Sequence, residues 1–144
     1  MGVLAVDAQP LVAILLKEDR ALRAMEVIRE CRARGDVEIC AVNLAEVLHI
    51  ARMRAGTHVA SRALALIDEV PITVVSADGT IATRAADLKA RHGLGLGDSF
   101  AAALAMVTGS PLLTGDADFL PLAEHGLVIE WLGRPHPQVP PDVA

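Results

Sequence analysis

Apolar residues recur along this chain in two rhythms. Five short, nearly unbroken runs, at residues 2–6, 37–41, 72–75, 111–114 and 127–131, read as buried strands. The third, Ile72-Thr-Val-Val, is β-branched, as strands favour. Between these runs the spacing changes to three and four. A first helix is expected over 10–17, with Pro10 acceptable in its first turn. Residues 21–34 put Leu22, Met25 and Ile28 on one face, and Gly35 closes that helix. A third helix opens at Asn43, where Leu44, Val47, Leu48 and Ala51 keep helical spacing before Gly56. Residues 58–69 carry Ala60, Ala63, Leu64 and Ile67 on one side, and Pro71 punctuates them. Residues 78–91 are helical again. After a loop holding Gly93, Gly95 and Gly97, residues 99–107 are almost wholly apolar, so that helix must be buried on most sides. A short helix over 119–124 precedes the last strand.

Short apolar strands alternating with helices imply an α/β fold, a parallel sheet covered on both faces. Ligands of such sheets sit in the crevice at the carboxyl ends of the strands. One domain over residues 1–132 is expected, followed by a tail, 133–144, whose four prolines and few apolar residues predict mobility.

Composition narrows the function. The 144 residues are 53% apolar, enough for a core without disulfide or metal staples. Aromatic residues are only Phe100, Phe119 and Trp131, which argues against reading RNA on stacked aromatic platforms. Cys31 and Cys40 have neither disulfide-framework nor metal-ligand spacing and suit a reducing cytoplasm. No apolar run reaches the roughly 18 residues of a membrane span, and the start of the chain lacks a basic region ahead of its apolar run. The formal net charge of −5 is unfavourable for a nucleic-acid enzyme unless bound cations offset some of it.

Four acids fall where strands end and helices begin. Asp7 closes the first strand, Glu46 follows the second, Asp98 opens the buried helix, and Asp116 follows the fourth strand. Each has a plain structural role available. Asn43-x-x-Glu46 reads as a capping box, and Asp7, Asp98 and Asp116 or Asp118 as N-caps. Together, however, they would crowd like charge onto one rim of the sheet, which resists ionisation unless a cation sits among them. The absence of His and Cys from the set disfavours zinc and suits Mg2+, with Mn2+ able to substitute.

Val3-Leu-Ala-Val-Asp7, Asn43-Leu-Ala-Glu46-Val-Leu, Leu94-Gly-Leu-Gly-Asp98-Ser-Phe-Ala-Ala-Ala and Leu112-Leu-Thr-Gly-Asp116-Ala-Asp118-Phe119 resemble, in order, the successive motifs of PIN domains. The resemblance spans about residues 2–132 and is strongest at the Thr-x-Asp-x-Asp-Phe stretch. It implies a three-layer α/β/α fold with a five-stranded parallel sheet. It also implies a metal site built from Asp7, Glu46, Asp98 and Asp116, with Asp118 and Thr114 in support. Small stand-alone bacterial members are mostly VapC-type toxins. The resemblance therefore implies a Mg2+-dependent endoribonuclease, a hydrolase forming 5′-phosphate and 3′-hydroxyl ends. Its expected partners are the RNA substrate, a cognate VapB-type antitoxin and a second copy of the chain in a homodimer. Asp7, Asp98 and Asp116 would hold one or two ions, directly or through water. Glu46 would hold a metal-bound water or orient it, and Thr114 would orient Asp116 or a water, a buried and satisfied threonine at a strand end being the equal alternative. Ser99 departs from the commoner Ala after the third acid and leaves the site intact.

Two other readings compete with this one. An aspartyl-phosphate phosphatase would place a second Asp two residues after Asp7, where Gln9 stands, and would need a positioned Lys. A catalytically inactive PIN-like module that only binds a protein partner would be expected to have lost acids, and all four remain. The scattered histidines lack ligand spacing. Arg52, Arg54 and Arg62 read first as solvated helix surface and only secondly as an RNA rim.

Overall fold

The protein is described by a computed structural model covering residues 2–139. Its strands are β1 (Gly2–Val6), β2 (Asp36–Cys40), β3 (Thr73–Val75), β4 (Leu112–Thr114) and β5 (Ile129–Trp131). The α-helices are α1 (Ala8–Leu15), α2 (Ala21–Arg32), α3 (Ala41–Ala55), α4 (Thr57–Glu69), α5 (Gly79–His92) and α6 (Leu96–Thr108). A 3-10 helix, Ala117–His125, carries Pro121 within it.

All strand pairs are parallel, in the order β3-β2-β1-β4-β5. The chain builds outward from β1 in one direction, then returns to its other side for β4 and β5. The order therefore reverses between β1 and β4, and a crevice opens there at the carboxyl ends. Side chains alternate across the pleat. Leu4, Val6, Val37, Ile39 and Leu113 face α1 to α4, whereas Ala5, Cys40 and Leu112 face α5, α6 and the 3-10 helix. Ala101, Ala102, Ala103 and Ala105 are fully buried. These small side chains let α6 lie close to the sheet and bring its first turn to the crevice.

Several element starts differ from expectation. α1 begins at Ala8, with Asp7 as its N-cap and Pro10 as its third residue, where a missing N–H costs nothing. α3 begins at Ala41 directly off β2, so Asn43 lies inside the helix and the capping box does not form. α6 begins at Leu96, which puts Asp98 inside its first turn and gives the N-cap to Gly95. In α2 the buried face is Ala24, Val27, Ile28 and Cys31, and Leu22 is 89% exposed. That stripe, rotated from the expected one, packs against α1 and the sheet.

Of the tail expected to be mobile, residues 133–139 are described. Val139 packs on Leu120 and Trp131, and the Trp131 indole N–H donates to the Arg134 carbonyl at 2.9 Å. The rest of that tail lies outside the described residues. Among the described residues, no helix is long and apolar enough to cross a membrane.

Candidate metal centre

Asp7 ends β1 and turns the chain into α1. Its Oδ1 accepts from the Ala8 N–H at 2.8 Å and its Oδ2 accepts from the Thr114 hydroxyl at 3.0 Å. Only 3% of the residue is exposed. Thr114, at the end of β4, also accepts from the Asp116 N–H through Oγ1 at 3.0 Å. One hydroxyl therefore ties the two strand ends on either side of the crevice. Asp116 caps the 3-10 helix, its Oδ1 accepting from the Asp118 N–H at 2.9 Å. That cap turns the second aspartate back toward the first.

Asp98 completes the cluster from α6. One carboxylate oxygen from each of Asp98, Asp116 and Asp118 lies within 4.8 Å of the others. Asp118 is thus a full member of the group by distance, whereas Asp7 joins through Thr114. Glu46, on the sixth residue of α3, is held by the buried Asn43. The Asn43 Nδ2 donates to Glu46 Oε2 and to the Gly97 carbonyl, both at 2.9 Å. Asn43 so fastens α3 to the start of α6 and aims Glu46 at the rim. A Cβ on Gly97 would meet the Glu46 carboxylate, so this glycine makes room for the acid.

Electrostatics agree with the geometry. Burial, first of all, pushes the Asp7 carboxyl up to about 7, and nearby Asp98 and Glu46 push the same way, against the lowering bonds from Ala8 and Thr114. Asp98 is raised to about 6 by burial, then by Asp116, Glu46 and Asp118. Asp7, Asp98 and Asp116 also sit at helix N-termini, where aligned N–H groups favour anions. This field limits the repulsion without removing it, and a divalent cation would relieve it directly.

The donor set fits such an ion. It is entirely carboxylate oxygen, it is gathered from separate elements, and no soft ligand is among it. All four sequence-predicted acids and Thr114 lie at this one rim. The Ser99 hydroxyl turns back to the Gly95 carbonyl at 2.8 Å, away from the acids. Two further residues, not among the expected site residues, hold the site in place. Asn43 has the pattern of a cap, although an amide three residues before a glutamate can also hold it along one helix face. Gln9 carries no motif signal beyond being the wrong residue for a phosphatase, yet its Oε1 accepts from the Gly115 N–H at 3.2 Å and secures the loop carrying Asp116. Of the arginines read as helix surface, Arg54 pairs loosely with Glu18 at 3.4 Å. A large cavity of about 1230 Å³ lies between α5 and α6 beside Thr83, Arg84 and Met106, and the acids of the cluster do not line it.

Comparison with solved structures returns the same architecture. VapC20 of Mycobacterium tuberculosis, a toxin that cleaves the sarcin-ricin loop, superposes with a TM-score of 0.70 at 19% identity, covering 87% of this chain and 96% of that one. VapBC2 of Rickettsia felis, solved with a fragment of promoter DNA, gives 0.67 at 14% identity over 89% and 97% of the two chains. DNA-bound VapBC of Salmonella typhimurium gives 0.64 at 20% identity over 92% and 99%. No curated protein sequence matches significantly. The family model described as PIN domain matches residues 4–124, and the chain belongs to that family.

Proposed function

We propose that this protein is a Mg2+-dependent endoribonuclease and the toxin of a VapBC-type pair. The observation that carries the reading is the meeting of Asp98, Asp116 and Asp118 within 4.8 Å at the carboxyl edge of the sheet, with Asp7 hydrogen-bonded into the same rim. Membership of the PIN family and the likeness to VapC and VapBC structures support the same assignment.

Asp98, Asp116 and Asp118 would hold the ion, with Asp7 adding charge behind them. When bound, a divalent ion offsets charge on the scissile phosphate and lowers the pKa of a coordinated water. Glu46, held by Asn43, orients the attacking water and takes its proton. The water oxygen bonds to phosphorus, the P–O3′ bond breaks, and the O3′ alkoxide takes a proton from solvent water while Glu46 returns its own to solvent. The products are a 3′-hydroxyl and a 5′-phosphate. Thr114 keeps Asp7 and the Asp116 backbone in register throughout. A VapB-type antitoxin would cover this open rim, and a homodimer is the assembly proposed with it.

The test is cleavage of total RNA by purified protein in Mg2+ or Mn2+ and in EDTA. Metal-dependent cleavage, lost in Asp98→Asn, is the expected result. Cleavage indifferent to both EDTA and that substitution rejects the proposal, and so does the absence of any cleavage by metal-loaded wild type.

A further inference from the structure

Beside the acids lies a second concavity of different character. It has a volume of about 560 Å³, and its walls include Gln9, Arg20, Gly115, Ala117, Arg134 and His136. Asp19 is its single acid. Two arginines against that one acid make it locally positive in a chain of net charge −5. Neither Arg20 nor Arg134 forms a salt bridge among the described residues.

The cavity and the acid cluster share one wall. Asp116 is extended, at φ −92° and ψ 118°, so the residues on either side of it face away from its carboxylate. Asp116 joins the acids while Gly115 and Ala117 line the cavity. The wall's position is fixed from both sides. Gln9 holds the Gly115 N–H, and the Leu132 N–H donates to the Thr114 carbonyl at 2.9 Å. A Cβ on Gly115 would come within 3.3 Å of the Gly133 nitrogen, so the two glycines let the last segment approach the loop closely.

The donor groups of the cavity are placed by backbone features. Arg20 precedes α2 in the left-handed region, at φ 75°, a conformation rare for a side chain of this size. Such outliers concentrate at functional sites. Arg134 is held through its carbonyl by the Trp131 indole, which leaves the guanidinium free. The His136 Nδ1 accepts from the Gln138 N–H at 3.2 Å, which puts the ring proton on Nε2 as a free donor.

We propose that this cavity is a backbone-phosphate subsite for the RNA strand next to the scissile bond. This rests on the ribonuclease reading above. Arg20, Arg134 and the His136 Nε2–H engage phosphates adjoining the cleaved one and draw the strand over the Gly115–Ala117 loop toward the acids. The charge of the two arginines offsets the repulsion that an acidic rim exerts on a polyanion. Bonds of this kind position a strand without reading its sequence.

The test is the double variant Arg20→Gly, Arg134→Ala. Glycine keeps the left-handed backbone at 20, and alanine keeps the carbonyl that the indole needs. With an unstructured oligoribonucleotide, KM should rise about tenfold with kcat unchanged, and the log–log salt slope should fall by roughly 0.7 for each phosphate that the variant no longer neutralises. The same pair of changes in an Asp98→Asn background, read by fluorescence anisotropy without divalent ion, should weaken RNA binding by a similar factor. Unaltered KM and salt slope in a cleaving enzyme overturn the subsite. So does equal anisotropy-measured affinity, which would leave the arginines to a protein partner. A wild type that cleaves no RNA instead rejects the ribonuclease reading, and the anisotropy comparison still decides the subsite.

Discussion

The Thr114 hydroxyl donates to Asp7 at 3.0 Å across 107 positions of sequence, and the same oxygen accepts from the Asp116 N–H. Through these two bonds it joins the strands flanking the crevice to the acids beyond them. Thr114→Val deletes both bonds while keeping the shape. It leaves a buried carboxylate oxygen and a backbone N–H unpartnered, at a cost of about 1–3 kcal/mol in chemical denaturation. Because the hydroxyl lowers the Asp7 pKa, its loss should also move the acid limb of the pH–rate profile upward. Thr114→Ser keeps the hydroxyl and should retain both properties. A valine variant with unaltered stability and pH profile would deny Thr114 this bridging role.

Stability should depend on pH in an uncommon direction. Asp7 and Asp98 bind their protons more tightly in the folded chain, at about 7 and about 6, than at the ordinary 3.8. From about pH 4 to 7, unfolding therefore releases protons from these two groups, and their contribution to stability falls as pH rises. In metal-free protein the stability owed to the protonated Asp7 and Asp98 should still be partly present at about pH 5 and be lost by about pH 8. Asp7→Asn should flatten that dependence and raise Tm at about pH 8 relative to the metal-free parent. Mn2+, which favours the ionised carboxylates, should raise the parent's Tm most at the higher pH. Melting curves at the two pH values, with and without Mn2+, check this. An Asp7→Asn variant that melts lower than the parent at about pH 8 without metal would contradict it.

Glu46 is placed by two residues, Asn43 and Gly97. Gly97→Ala pushes a methyl group into the space of its carboxylate, and that flexible side chain gives way more easily than the backbone. Turnover should drop about 10- to 100-fold from misplacement, with unfolding free energy changed by less than about 1 kcal/mol. Asn43→Ala should lower turnover too, and also cost about 1–3 kcal/mol because it unties α3 from the Gly97 carbonyl. Kinetics and denaturation measured on both variants separate the two cases. Full activity in Gly97→Ala would show that the position of Glu46 does not matter.

Much of this architecture is legible in the residues. Five apolar runs form five parallel strands. β1 and β4, at the centre of the sheet, are largely buried and tolerate almost no polar positions, whereas the edge strand β3 leaves Thr73 and Val74 exposed, contrary to the expectation of a buried strand. The acids can be collected from strand ends because the carboxyl edge is where such sheets bind ligands. The helix starts are harder to read. Ala41 enters α3 straight from β2 without a capping side chain, so the first visible signal, Asn43, has the look of a boundary when it is an interior tether. The buried face of α2 is hidden in the sequence because Leu22 promises more burial than Ala24, whereas the position of α1 decides which side of the helix is covered. Asp118 ranks second to Asp116 on its motif alone, and only the cap between them turns it into the same cluster. The tail's composition conceals the anchoring of Val139 against Leu120 and Trp131, because that packing joins distant parts of the chain.

Central to the proposed chemistry is that Asp98, Asp116 and Asp118 form one divalent-ion site. Mn2+ titration by electron paramagnetic resonance at a pH above 7, on the parent and on the Asp98→Asn and Asp118→Asn variants, tests it most directly. Saturable binding is predicted in the parent, severely weakened or removed by each substitution. Equal Mn2+ affinity in all three proteins, or no saturable binding in the parent, would contradict it.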